Sequence, residues 1–299
     1  MQAPHLLPIP RDLQRKTATL LACFQGLDGV LVAFSGGVDS TLVLKIAAEV
    51  LGTRATAVTA ASPTLPYEEL EAVRQLSQEI GARLIVASTN QLDIEEFVRN
   101  DSMRCYHCKT DLYRLLAPIK QDTGIATIVD GAHVDDLGDD RPGMQAAREF
   151  GVRSPLVEAG FQKADVRTLA KALGLSNWDK PAAACLSSRI PRGTKITEQK
   201  LQRVEQAERL LKEEGFRQVR VRDHEGIARI EVDPKVLLDV LEPVRRDRIT
   251  RGLKALGFQF VTLDLEGYRR GGKTEERRGV RAGPARGQGQ APGQGPEQA

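Results

Sequence analysis

Between Val30 and Asp130, short apolar runs alternate with stretches in which apolar residues recur at helical spacing. Val30–Phe34 reads as a buried strand, and Leu42, Ile46 and Val50 mark the inner face of the helix after it. Ala55–Thr59 reads as a second strand. Pro66 suits a first helical turn, with Leu70, Val73, Leu76 and Ile80 on one stripe behind it. Arg83–Ala87 and Ala126–Asp130 read as further strands. Strands separated by helices need crossover connections. They predict an α/β fold with a doubly wound parallel sheet that binds ligands at the C-terminal ends of its strands.

After Trp178 the period changes. Thr197 is placed to cap a helix whose stripe is Leu201, Val204, Ala207 and Leu211. QVRVR and GIARIEV then alternate as two strands around a turn at His224–Gly226. Asp233-Pro234 signals a helix start, and Phe258–Leu265 reads as a last strand. The expected organisation is an α/β domain over 1–178, a smaller α+β domain over 179–268, and a disordered tail over 269–299. Gly, Arg, Gln and Pro dominate that tail, with hardly any core-forming residue.

A chain of 299 residues has room for two such cores. Its formal charge of +3 is small and much of the basic excess lies in the tail, which gives little support to nucleic-acid binding by the folded part. Pro4, Pro8 and Pro10 interrupt the start, so no signal-peptide core forms, and no apolar run approaches the ~20 residues of a membrane span. The expectation is a soluble cytoplasmic protein with no membrane partner. Four cysteines (Cys23, Cys105, Cys108, Cys185) in a reducing compartment point to catalysis or metal binding rather than to a disulfide scaffold. Cys23, among Leu20, Leu21 and Phe24, reads as core packing.

The chemistry begins at Ser35-Gly36-Gly37-Val38-Asp39-Ser40, between the first strand and its helix. Two glycines let the backbone approach a charged ligand, and amides at a helix N-terminus favour an anion. Ser35 and Ser40 add hydroxyl donors. Asp39 repels bare phosphate, so its place there suits a bridging Mg²⁺ or an anchor for loop amides. This string resembles the pyrophosphate-binding loop of the N-type ATP pyrophosphatases, whose fold is adenine nucleotide alpha-hydrolase-like. The resemblance implies ATP cleaved between its α and β phosphates, with AMP as product. A second segment, Asp130–Asp136 followed by Arg141, brings Gly131, Asp136 and Arg141 as candidates to meet metal and phosphate at the sheet edge.

MRCYHCKTDLY sets Cys105 and Cys108 in a C-x-x-C spacing with no second pair, and the further candidate ligand is Cys185 in KPAAACLSSRIPRGT. Three thiolates suit an iron–sulfur cluster with one open iron better than structural zinc. Lys180, Arg189, Arg192 and Lys195 flank Cys185 in sequence, and convergent cations would favour its nucleophilic thiolate. Arg220 and Arg222 project from one strand face, as a phosphate or carboxylate site would need, or as an outer solvated ribbon face would allow.

SGGVDS, RCYHCKTDLY, DGAHVDD with RPG, WDKPAAACLSSRIPRG, ARIEV and LDLEGYRRGG occur together and in this order. Over about residues 13–272 the chain resembles the LarE family of ATP-dependent sulfur transferases. The resemblance implies adenylation of a carboxylate of pyridinium-3,5-biscarboxylic acid mononucleotide and its conversion to a thiocarboxylate in nickel-pincer nucleotide cofactor biosynthesis. It makes Cys185 the sulfur donor. Glu208, Arg220, Arg222 and Glu231 fall among the residues around that cysteine, the arginines for substrate anions and an acid for the proton of C–S cleavage. Single-cysteine members are left with dehydroalanine. Cys105 and Cys108 instead match members that hold a [4Fe-4S] cluster on three cysteines, and relatives form homo-oligomers. His133 and Ala132 stand where relatives carry Asn and Thr. Two other readings share the ATP loop: a tRNA-thiolating enzyme, with the basic tail as its RNA footprint, and an amidating synthetase, for which the chain has no room for a glutaminase domain.

Overall fold

Four parallel strands, β1 (Val30–Ala33), β2 (Ala55–Ala61), β3 (Arg83–Ser88) and β4 (Thr127–Val129), form a sheet in the order β3-β2-β1-β4. The computed structural model describes residues 9–137, 142–181 and 184–269; Arg141 and the tail beyond Arg269 lie outside them. Every residue of β1 is buried because both faces of the sheet are covered. Val30 and Val32 pack with helices α1 (Arg11–Ala22) and α2 (Val38–Leu51) through Leu20, Val43 and Ala47. Leu31, pointing the other way, joins Val58 and Ile128 in a second cluster with Tyr113, Leu116, Ala146 and Ala147.

The chain steps from β1 outward to β2 and β3, then returns to place β4 on the other side of β1. That reversal is the switch point at which open α/β sheets bind ligands. Between β2 and β3 runs α3 (Tyr67–Ile80), with Pro66 just before its first residue. The short helix α4 (Glu95–Val98) and the long helix α5 (Arg104–Thr123) lead to β4, and α6 (Pro142–Glu149), α7 (Pro155–Glu158) and α8 (Lys163–Ala172) follow.

The second half opens with α9 (Glu198–Glu213), where the Thr197 side chain accepts from the Lys200 amide at 3.3 Å as the cap expected from sequence. Strands β5 (Val219–His224) and β6 (Ile227–Val232) pair antiparallel through a tight turn. The helices α10 (Leu237–Val240) and α11 (Pro243–Ala255) then carry the chain to β7 (Phe260–Leu263), parallel to β6. Asp233-Pro234 opens a 3₁₀ turn before α10, and β7 is shorter than its apolar run because Phe258 is buried in the core and Leu265 is exposed in a turn. This sheet has its own core of Ala207, Leu211, Val221, Ile230, Ile249 and Leu253.

Between α8 and α9 the described residues 177–181 and 184–194 form a strap with little regular structure of its own. Its carbonyls must therefore find side-chain partners. Asn100, fully buried at a left-handed φ of 60°, donates to the carbonyls of Ile190 (3.3 Å), Pro191 (2.7 Å) and Thr194 (3.0 Å). Its own oxygen accepts from Arg104 Nη1 (2.7 Å), which also reaches the Ser187 carbonyl (3.0 Å). Leu186 and Ile190 of the strap complete an apolar cluster with Phe97 and Val98 on one side and Leu201 and Val204 on the other. Replacing Asn100 by Ala orphans these carbonyls and should lower the unfolding free energy by about 3 kcal/mol in urea denaturation. Asn100→Gly loses the same bonds but tolerates the positive φ, so it should cost measurably less than Ala.

Candidate active site

The loop between β1 and α2 is shaped by its own hydroxyls. Ser40 Oγ donates to the Gly37 carbonyl (3.1 Å) and receives the Ser35 amide (3.3 Å), while Thr41 Oγ1 also donates to Gly37 O (2.9 Å). Gly36 has φ +69°, and a Cβ there would stand 2.8 Å from Val73 Cγ2. The loop is fixed from outside by Asn177, whose amide donates to the Gly36 carbonyl (3.1 Å) and to Thr41 Oγ1 (2.9 Å). The N-terminus of α2 is thus held open with Gly37 as its cap and no side chain bonded over it. Such an end is suited to a phosphate chain.

The loop after β4 meets this end directly. A Cβ on Gly131 would lie 2.7 Å from the Ser40 amide nitrogen and 3.0 Å from the Asp39 carbonyl carbon, so only glycine permits the approach. Asp136 accepts the His133 amide at 3.1 Å. His133 is buried, with Nε2 3.5 Å from Asp136 and 3.9 Å from Asp39, and its Nδ1 has no hydrogen-bond partner among the described residues. Asp39 faces Lys163, the first residue of α8, whose Nζ lies 2.6 and 2.5 Å from the two carboxylate oxygens. Of the predicted nucleotide set, Ser35 to Ser40, Gly131 and Asp136 therefore share one place at the switch point. Asp39 and Asp136 are the oxygen donors available to a hard cation such as Mg²⁺.

Cys185 begins the 3₁₀ turn Leu186–Arg189 of the strap. The next amide, of Leu186, donates to the Thr64 carbonyl (3.0 Å), just beyond the C-terminal end of β2. The cysteine therefore lies on the same sheet edge as the nucleotide loop. Arg189 organises the turn: Nη1 donates to the carbonyls of Ala184 (2.6 Å) and Cys185 (3.1 Å), and its other edge forms a two-point pair with Glu208 (2.7 and 3.0 Å). Glu208 also accepts the Val221 amide at 3.1 Å. Arg222 donates to the Ser188 carbonyl (3.1 Å) and pairs with Glu231, which Arg229 also contacts (3.1 Å). Glu208 and Glu231 thus act as hydrogen-bond acceptors that hold guanidinium groups beside the cysteine turn.

Arg220 is different. It is buried, its guanidinium stacks 4.5 Å from the Tyr268 ring centre, and no carboxylate among the described residues lies within ion-pair distance. Burial, reinforced by Arg189 and Arg222, pushes its pKa down against the opposing pull of Tyr268 and Glu231. This is a cation short of an anion. It lines a cavity of about 390 Å³ with Lys180, Ala184, Leu186, Arg217 and Tyr268, so the strap that carries Cys185 forms part of the cavity wall.

The cysteine spacing along α5 also reaches this place. Burial pushes the Cys108 thiol up to about 12, and the neighbouring Cys185 and Cys105 add to the rise. The three sulfurs therefore share one neighbourhood, although no group of three His, Cys, Asp or Glu among the described residues closes on a point fit for a single metal ion. Sequence pattern pointed to none of Lys163, Asn177 and Asn100 as site or strap residues, for each acts on segments remote in the chain. In metal-free protein, iodoacetamide labelling of Cys108, followed by peptide mass mapping, should accelerate with pH through pH 10 without a plateau. A plateau near pH 9 would mean an ordinary thiol.

The asparagine synthase family model matches residues 25–122, the span from the approach to β1 through most of α5. An uncharacterized protein of Synechocystis is 46% identical over 87% of this chain and 97% of its own. An uncharacterized protein of Methanocaldococcus jannaschii is 28% identical over 80% and 90%. The pyridinium-3,5-bisthiocarboxylic acid mononucleotide synthase of Lactiplantibacillus plantarum is 44% identical over 87% of this chain and 94% of its own length. That likeness runs along most of both chains, and the chain belongs to the LarE family of pyrophosphate-loop proteins.

Proposed function

We propose that this chain is an ATP-dependent sulfur transferase that adenylates a carboxylate of pyridinium-3,5-biscarboxylic acid mononucleotide and converts it to a thiocarboxylate, releasing AMP and pyrophosphate. The observation that carries the reading is the 44% identity, along nearly the whole chain, to the synthase named for the bisthiocarboxylic product. The geometry supports it, since an anion-binding loop and a cysteine turn share one sheet edge beside an arginine-lined cavity.

A carboxylate resists attack because its leaving group would be oxide. Adenylation removes that obstacle: a carboxylate oxygen bonds to the α-phosphorus of ATP and the bond to pyrophosphate breaks. The loop amides and the α2 N-terminus suit the pyrophosphate, and Mg²⁺ bound at Asp39 and Asp136 would offset its charge. Arg220 suits the substrate phosphate or its second carboxylate, held close enough to make the next step effectively intramolecular. Sγ of Cys185 then attacks the acyl carbon and AMP departs with the bonding pair. In the sacrificial route the Cys185 Cβ–Sγ bond breaks as its Cα proton leaves. Sulfur departs on the substrate and dehydroalanine remains.

Cys105, Cys108 and Cys185 support a second source of sulfur. Their shared neighbourhood is what supports this reading, in which the three thiolates would hold a four-iron cluster. The raised Cys108 pKa means that binding would release its proton to the solvent. When bound, a [4Fe-4S] cluster on these thiolates supplies an open iron that can carry a transferable sulfide. Exposed Leu238, Leu241 and Val244 around α10 and α11 are an apolar surface consistent with a homo-oligomer.

Cys185→Ser should leave AMP release within about threefold of wild type while thiocarboxylate formation disappears. Thiolated product from that variant would remove Cys185 from the transfer. Arg220→Ala should raise KM for the pyridinium nucleotide about 10- to 100-fold in the same AMP assay. Anaerobically purified protein should be brown, with iron and sulfide in cubane ratio, and should keep its mass through turnover. A colourless protein that loses the mass of one hydrogen sulfide would assign the sacrificial route instead.

A further inference from the structure

Thr64, Gln91 and Asp111 form a chain of hydrogen bonds that neither the nucleotide loop nor the arginine-lined cavity uses. Asp111, on α5, accepts from Thr89 Oγ1 and from Gln91 Nε2, both at 2.8 Å. Gln91 Oε1 accepts in turn from Thr64 Oγ1 at 3.4 Å. Gln91 and Thr64 are buried, at 3% and 5% exposure. An apolar side chain would fill the same space with no polar group to satisfy, so packing alone does not call for this chain. Its far end is the Thr64 carbonyl, which accepts the amide of Leu186, one residue after Cys185, at 3.0 Å. Its near end lies on α5 three residues after Cys108, on the same helix face. Arg104, four residues before Cys108 on that face, grips the strap again through the Ser187 carbonyl at 3.0 Å. Cys108 thus sits between two tethers that run from its own helix to the cysteine turn, packed against the cluster that holds Leu186 and Ile190.

We propose that Thr64, Gln91 and Asp111 are positioning residues that hold the Cys108 thiol in register with Cys185, so that both can grip one cluster. The inference rests on the three-cysteine reading of the sulfur source. Cys105 and Cys108 share one turn of α5, and the helix itself sets their spacing. Cys185 belongs to a strap without a ladder, so its distance from Cys108 has to be fixed by tertiary contacts. Arg104 holds the strap at Ser187, downstream of the sulfur; the Thr64 link holds it at Leu186, directly beside it. Two attachments at different points also keep the turn from pivoting about either one. Polarity gives the link a direction. Thr64 donates to Gln91 and Gln91 donates to Asp111, and the anionic acceptor at the end strengthens the bond that reaches α5. Metal-bound thiolates depend on such outer contacts for their geometry. The chain neither touches substrate nor moves a proton to it; it acts through the two cysteines.

The test bridges thiols with dibromobimane in the metal-free full chain and maps the products by peptide mass. A Cys105–Cys108 bridge lies within one helix and is blind to the strap; a Cys108–Cys185 bridge spans the two elements. Both consume Cys108, so the slowness of its thiol cancels from their ratio. Gln91→Leu and Asp111→Ala should lower the ratio of the Cys108–Cys185 product to the Cys105–Cys108 product about tenfold. Asp111→Asn, which keeps an acceptor oxygen for both donors, should recover most of it. After anaerobic reconstitution with iron and sulfide, Gln91→Leu and Asp111→Ala should lose iron to a chelator about tenfold faster than wild type. Residues that only stabilised the fold would lower the melting temperature and leave the ratio unchanged. A wild-type ratio in both variants, iron loss at the wild-type rate in both, or a wild-type protein that forms no Cys108–Cys185 bridge would overturn the proposal. A wild-type protein that takes up no iron would instead defeat the cluster reading, and the bridging ratio would still decide whether the chain positions Cys108.

Discussion

A strap of irregular backbone crosses the C-terminal edge of the sheet, and buried carbonyls without partners would make it untenable. Asn100 answers three of them, Arg104 a fourth, and Arg189 the two nearest Cys185. Asn177 then ties the root of the strap to the nucleotide loop through the Gly36 carbonyl. The position of Cys185 is therefore set by side-chain amides and guanidinium groups rather than by a strand ladder. Arg189 is held by Glu208, and Arg222, which donates to the Ser188 carbonyl, is held by Glu231, so packing of the smaller sheet is transmitted to the cysteine turn.

Two electrostatic situations coexist along this edge. Around Asp39 the negative groups are already met by Lys163 and approached by His133, which leaves a compensated site. Around Arg220 the positive charge is stacked on Tyr268 and feels Glu231 only from beyond ion-pair distance. The first arrangement is an ion pair already made; the second is a buried cation with no carboxylate among the described residues within ion-pair distance.

Much of this was legible in the chain. Apolar runs in Val30–Phe34, Ala55–Thr59 and Arg83–Ala87 gave the parallel strands, because a sheet covered on both faces needs continuous apolar segments. SGGVDS revealed its loop through local conformational demands, and Thr197 its cap through the helix that follows. The helix Arg104–Thr123 was harder to read, since Pro118 lies inside it and argues locally for a break. Lys163 is 124 residues from Asp39, and Asn177 is 141 from Gly36. Neither leaves a periodic signal, because a single long-range contact imposes no pattern on its neighbours. Arg220 and Arg222 share a strand face as alternation requires, but that one would pair with Glu231 and the other remain unpaired depends on packing that spacing does not encode.

Gly131 has a bearing on how this molecule can change over time. Its α-carbon packs so closely on the peptide of Asp39 and Ser40 that the two loops behave as one moulded surface. A drift in the shape of either would have to be matched in the other, so the residues after β1 and after β4 should be inherited as a correlated set. The cavity wall, by contrast, is built from side chains with freedom to retract, and its lining could change between lineages without a matching change in the two loops.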